Sequence, residues 1–110
     1  MRTWVSQLRK GLVELSVMAA LRDGEAYGYQ ILQRLTVTEE LATTESAVYP
    51  ILARLARDGL VKVRAAPSPT GPPRRYYRLT PEGKARLKEM SLYWKGIIAA
   101  VNNLLQEKTR

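Results

Sequence analysis

The chain has no cysteine and no histidine among its 110 residues. Disulfides, thiolate or imidazole metal sites, and cysteine or histidine catalysis are therefore excluded. No metal and no cofactor is expected. Acids are the minority charge, ten against 18 basic residues. They fall mainly at helix ends and in turns, Glu14 and Glu89 excepted, and form no convincing pair for acid–base work. An enzyme is not expected. No apolar run approaches the ~20 residues of a membrane span. The opening stretch MRTWVSQLRKG lacks the apolar core of a signal peptide. A cytoplasmic location is expected.

Positive charge is present, and it is concentrated. The net charge is +8, and the segment from Arg54 to Arg78 supplies +6 of it, with seven basic residues against one acid. A localised basic stripe is what a polyanion-binding surface requires. The plainer alternative is a solvated hairpin with incidental charge. A hydrophobic fraction of 45% fits one domain with an appended helix. A chain of this size buries only about two thirds of its unfolded surface, so a partner subunit would add stability.

The stretch TTESAVYPILARLARDGL, residues 43–60, organises the remainder. Val48, Ile51, Leu52 and Leu55 recur at the spacing of one helical face, predicting a helix over 44–58. At 100° per residue the opposite face carries Ser46, Pro50, Ala53 and Arg57, with Tyr49 and Arg54 on its flanks. A hydroxyl, small residues, an aromatic and two guanidiniums suit a nucleic-acid groove. The alternative is an ordinary amphipathic helix with two arginines in water. Thr44 is the expected N-cap, leaving backbone N–H groups to meet a phosphate. Asp58-Gly59 stops the helix. Pro50 predicts a kink, because it crowds the Ser46 carbonyl.

Before this helix, apolar residues from Trp4 to Leu21 predict one helix over 4–22, ended by Asp23-Gly24. A shorter helix is predicted over 27–37, with Ile31, Leu32 and Leu35 inward. In the polar connection that follows, Leu41 alone is expected to be buried. Helix, short helix, turn and outward-facing third helix is a helix-turn-helix order. After it, LVKVRA and RRYYRLT alternate apolar and polar, Val61, Val63, Tyr77 and Leu79 opposing Lys62, Arg64, Tyr76 and Arg78. The proline-rich APSPTGPP between them reads as a loop. A two-stranded wing over 60–80 is predicted, which makes the unit a winged helix-turn-helix.

Thr80-Pro81-Glu82 marks the start of a last helix, predicted to reach about Glu107. Leu87, Trp94 and Val101 are seven apart, as are Met90, Ile97 and Leu104, an a/d seam. The seam has too little of its own domain to cover it. A homodimer is expected, with Trp4, Leu87, Met90, Trp94, Ile97, Val101 and Leu104 at its interface. The expected fold class is mainly α with a small β-hairpin. Residues 1–80 form the winged helix-turn-helix DNA-binding domain and 81–110 a long C-terminal dimerisation helix.

YGYQILQRL, SAVYPILARLARDGLV and RRYYRLTPEGKARL, with the apolar first helix, span nearly the whole chain. In these stretches the chain resembles the PadR family of bacterial transcriptional regulators, in its short form with one C-terminal helix. The resemblance implies a winged-helix DNA-binding domain, a homodimer made by the C-terminal helix, and usually repression. In some relatives, aromatics on that helix line a pore at the dimer interface that takes flat hydrophobic compounds, and Trp94 lies where such an aromatic would be. The proline-rich wing tip departs from the family pattern, so no fixed tip contact is carried over.

The expected function is a homodimeric, sequence-specific DNA-binding repressor reading an inverted repeat. The expected DNA contacts are Thr44, Ser46, Tyr49, Arg54 and Arg57 on the third helix and Lys62, Arg64, Arg74 and Arg75 on the wing. Trp94, with Leu8, Leu12 and Ile97 near it, is the expected site for a planar aromatic effector. The alternative from another class is a winged-helix protein-interaction module whose basic hairpin meets an acidic partner. RNA binding is disfavoured because the tyrosines alternate with core positions and build no stacking platform.

Overall fold

The computed structural model describes residues 3–106. Helix α1 spans Thr3–Lys10 and α2 spans Val13–Ala20. The single helix expected over 4–22 is therefore two. The break falls at Gly11-Leu12, where a glycine weakens helical continuity and the Leu12 N–H closes a tighter turn on the Arg9 carbonyl at 2.9 Å. Helix α2 sends Val17 and Met18 into the core, whereas α1 buries nothing and leaves Trp4 58% exposed.

Next comes a strand not foreseen from the sequence, β1 (Ala26–Tyr27). Two residues are too few to show an alternation. Helix α3 (Gly28–Thr36) follows, its start held by the Tyr27 N–H donating to Gln30 Oε1 at 3.1 Å. Ile31 and Leu35 point inward. The connection contains a 3-10 turn, Glu39–Leu41. Leu41, expected inside, is 37% exposed, because this connection runs over the surface instead of under a helix.

Helix α4 (Glu45–Arg57) buries Val48, Leu52 and Leu55 and runs unbroken through Pro50. Its end is a left-handed glycine cap. Gly59 has φ +76°, the Leu60 N–H reaches the Leu55 carbonyl at 2.9 Å, and the Gly59 N–H reaches Ala56 at 3.2 Å. That reversal starts β2 (Val61–Ala66), which pairs antiparallel with β3 (Arg74–Leu79), from Val61 opposite Leu79 to Ala66 opposite Arg74. The predicted two-stranded wing is thus the larger part of a three-stranded sheet, β1-β3-β2, with Tyr27 opposite Tyr76.

Helix α5 (Pro81–Leu105) begins at Thr80, whose hydroxyl accepts the Gly83 N–H at 3.0 Å and donates to the Gly59 carbonyl at 2.7 Å. A Cβ at Gly83 would lie 2.0 Å from the Leu60 carbonyl oxygen, so only glycine lets the helix start this close. The predicted helix end at Glu107 lies outside the described residues, as do the last positions of the 81–110 segment. Leu87 corrects an expectation. Assigned to the dimer seam, it is 8% exposed and belongs to the chain's own core, with Leu79 and Met18. The first turns of α5 face inward over α2 and β3, which consumes the first position of the heptad. No helix among the described residues is long and apolar enough to cross a membrane.

Candidate nucleic-acid interface

The outward face of α4 carries Thr44, Ser46, Tyr49, Pro50, Ala53 and Arg57, all exposed. Thr44 occupies the N-cap position without capping a backbone N–H; its hydroxyl lies 3.0 Å from that of Ser46 instead. The first amides of α4 thus have no side-chain cap. Tyr49 is held, not free to swing. Its ring and hydroxyl lie over the α-carbon of Gly28, where a Cβ would come within 2.4–2.8 Å of them. Partial burial, with the Glu45 charge adding to it, raises the Tyr49 phenol above its ordinary range.

Arg54 corrects a second expectation. Its Nη2 lies 2.5 Å from Glu14 Oε1, and the pair straps α4 to α2. Arg54 sits on the flank of α4 that meets α2, so its guanidinium is paired within the domain, with the side chain still partly exposed. Glu14, an acid in the first turn of the mostly apolar α2, is the acceptor.

Strand pairing sorts the wing cations. Residues alternate across a strand, so Lys62, Arg64, Arg74, Tyr76 and Arg78 share one face of the sheet. Arg75 lies on the other, with Val63, Tyr77 and Leu79, the face that packs on the helices. The Arg74-Arg75 doublet therefore diverges. The register thus divides the four wing cations expected to meet phosphates, with Lys62, Arg64 and Arg74 on one face and Arg75 on the other.

Two of those cations are also engaged. Glu25 accepts from Arg64 Nε at 3.0 Å and Nη2 at 2.5 Å. The Arg64 guanidinium lies 4.7 Å from the Tyr76 ring centre, Tyr76 meets Tyr27 edge-on at 5.4 Å, and Arg74 lies 4.3 Å over Tyr27. This chain of contacts ties all three strands across the outer half of the wing ladder. The Arg64 hydrogen bonds hold the Glu25 carboxyl below its usual range, and Glu25 raises Arg64 in return. None of this was legible without β1, which brings Glu25 and Tyr27 beside the hairpin. At the tip, the Ser68 hydroxyl lies 3.1 Å from the Gly71 carbonyl and 2.8 Å from that of Pro72. The tip carries no cation from Ala65 to Pro73.

Between α4 and the wing lies a hollow of about 640 Å³, lined among others by Gly28, Tyr49, Pro72, Arg74, Arg75 and Tyr77. A second cavity of about 850 Å³ opens between the two N-terminal helices and α5. Leu8, Leu12, Trp94 and Ile97, the expected effector residues, all line it, beside Leu15 and Met90. Of the expected interface residues, Trp4, Ile97, Val101 and Leu104 are exposed, while Met90 and Trp94 are half-buried.

Comparison with known proteins agrees with this architecture. Residues 17–89 match the model of the transcriptional regulator PadR-like family. A PadR-like transcription factor from Bacteroides fragilis is 38% identical, over 90% of this chain and 95% of that one, with a TM-score of 0.75. A PadR family transcriptional regulator from Eggerthella lenta is 30% identical, over 96% and 92%, with a TM-score of 0.85. Bacillus subtilis PadR, solved in complex with operator DNA, shares the fold at 22% identity and a TM-score of 0.67, over 90% of this chain and 50% of that one. A winged helix-turn-helix with a long C-terminal helix, matched by the family model over most of its length and by solved members over nearly all of it, belongs to the PadR-like family of transcriptional regulators and is not an enzyme.

Proposed function

We propose that the chain is a homodimeric, sequence-specific DNA-binding repressor, acting in the cytoplasm and released by a small hydrophobic ligand. One observation carries the DNA reading. Tyr49 of α4 and Arg74 and Arg75 of the wing line the same hollow, so helix and wing offer one continuous surface. Bacillus subtilis PadR, of the same fold, is bound to operator DNA, which supports DNA as the partner. Ser46 and Arg57 reach for base edges, Tyr49 sets the depth of approach, and Thr44, Arg75 and the sheet-face cation Lys62 take phosphates. Arg64 and Arg74 contribute by holding the wing. The exposed seam Ile97–Val101–Leu104 pairs with a second copy, and two heads read half-sites about one helical turn, ~34 Å, apart. Occupancy of the operator blocks polymerase.

The Trp94 cavity supports the release step. A flat aromatic compound seated there shifts the dimer only if it binds the DNA-incompetent arrangement better than the competent one. Titrating tryptophan fluorescence with planar aromatics, beside Trp94→Ala, tests this; equal quenching in both proteins would reject the site.

Selection of bound sequences from random DNA by the purified protein tests the main reading. An enriched inverted repeat is expected. No enrichment at physiological salt would favour a protein-interaction module with an acidic partner. Arg75→Glu should flatten the log–log salt dependence by about 2 per dimer, one phosphate per subunit. Ser46→Ala should instead relax sequence choice.

A further inference from the structure

A second groove runs along the other side of α5, with a volume of about 890 Å³. It differs from the Trp94 cavity in charge. The charged residues lining it are Arg22, Arg34, Lys84, Lys88 and Lys95, with no acid among them. The only charged residue lining the Trp94 cavity is Glu89. Arg34 is fixed in the wall by donating to the Ala20 carbonyl at 2.5 Å. Arg22 pairs loosely with Asp23 at 3.6 Å, both side chains mostly exposed. Lys84, Lys88 and Lys95 have no salt bridge among the described residues.

The floor of this groove is leucine. Leu35, Leu79 and Leu87 are buried beneath it, and Leu41 and Leu92 stand exposed on its two banks. Leu41 is the residue whose exposure was unexpected, and Leu92 lies off the a/d seam. The three lysines recur at four and seven residues, so they form one stripe along α5 about 16 Å long. At 100° per residue that stripe lies well away from Ile97, Val101 and Leu104. A dimer formed through the seam leaves it open.

We propose that this groove binds an anionic aliphatic amphiphile, a carboxylate on an acyl chain. The leucine floor covers the chain, and the lysine stripe takes the carboxylate. Apart from Trp94 at its edge the groove offers no aromatic face, so an aliphatic body suits it better than a flat ring. The walls come from α2 and α3 of the head and from α5, so a bound chain would bridge the head and the C-terminal helix.

The test is calorimetric titration of the full chain with sodium dodecanoate below its micelle concentration. Dodecyltrimethylammonium serves as the same chain with the opposite charge, and butanoate as the same head without the chain. One dodecanoate per subunit is expected, with no binding of the other two. Lys88→Glu/Lys95→Glu should weaken dodecanoate binding by about tenfold or more. Lys10→Glu/Arg86→Glu, an equal charge change away from the groove, should leave it intact. Circular dichroism of each variant confirms folding. Absence of dodecanoate binding, equal binding of the cationic amphiphile, or equal loss in both double variants would overturn the proposal. So would a fall in self-association in Lys88→Glu/Lys95→Glu, which would mark the groove as covered by a second copy. No DNA enters the measurement, so its outcome is separate from that of the operator reading.

Discussion

The head of the molecule and the far half of α5 solve the same problem in opposite ways. From α2 to Leu87 the chain buries nearly every large apolar side chain it needs for one core, including Met18, Ile31, Leu52 and Leu55. Beyond Met90 it buries none completely: Leu92, Tyr93, Ile97, Ile98, Val101, Leu104 and Leu105 are exposed, Leu104 by 85%. The helix projects far enough to give the protein a 64 Å long axis. A continuous apolar helix face in water is costly. The head therefore has the makings of a fold by itself, and the tail has the makings of an interface.

That contrast can be broken at either end. Ile97→Glu/Val101→Glu has the largest expected effect. Charge placed in the seam should weaken self-association by about 100-fold or more. Sedimentation should then find monomers, and the thermal midpoint should stop depending on protein concentration. A variant that stays dimeric would show that the seam is not where the copies meet. Leu52→Ala strikes the head instead. A large-to-small change at a fully buried site costs about 3 kcal/mol, read as a lower urea midpoint. Dimerisation measured under native conditions should persist.

A smaller effect sharpens the comparison within the head. Gly28→Ala forces a methyl against the Tyr49 ring, at an expected cost of about 1–2 kcal/mol. Tyr49→Ala removes the obstacle, so the double variant should recover much of that loss. The coupling measured by the cycle is expected at about 1 kcal/mol. Additive effects would mean that Gly28 does not position the tyrosine. The smallest effect concerns Glu25. Its folded pKa is depressed by Arg64, so its contribution to stability is present above the unfolded value and fades as pH falls through the folded one. Carbon-detected NMR should place its titration below the ordinary glutamate range, and Arg64→Ala should return it there.

How legible each region was depends on the kind of contact that makes it. Helix α4, the Gly59 stop, the wing strands and the Thr80 cap rest on local spacing, and their positions differ from expectation by a residue or so. The break at Gly11-Leu12 went unseen because apolar periodicity continues across it. Strand β1 went unseen because it exists only by pairing with Tyr76 and Tyr77. The same cause hid the fate of the cations. A guanidinium in a sequence is a free charge until a distant acid or ring meets it, and Glu14 and Glu25 lie 40 and 39 residues from Arg54 and Arg64.

What the sequence determined alone is what near neighbours enforce. The lack of cysteine and histidine removed whole classes of chemistry. Helical and strand periods, caps and turn residues set the order of elements, and charge counting located the basic half. Tertiary structure decided which of those charges are already paired, that Leu87 faces inward, and that Arg74 and Arg75 both reach the hollow beside Tyr49 from opposite faces of β3. The physical reason is range: periodicity and capping act within a few residues, whereas burial and ion pairing depend on segments that only the folded chain brings together.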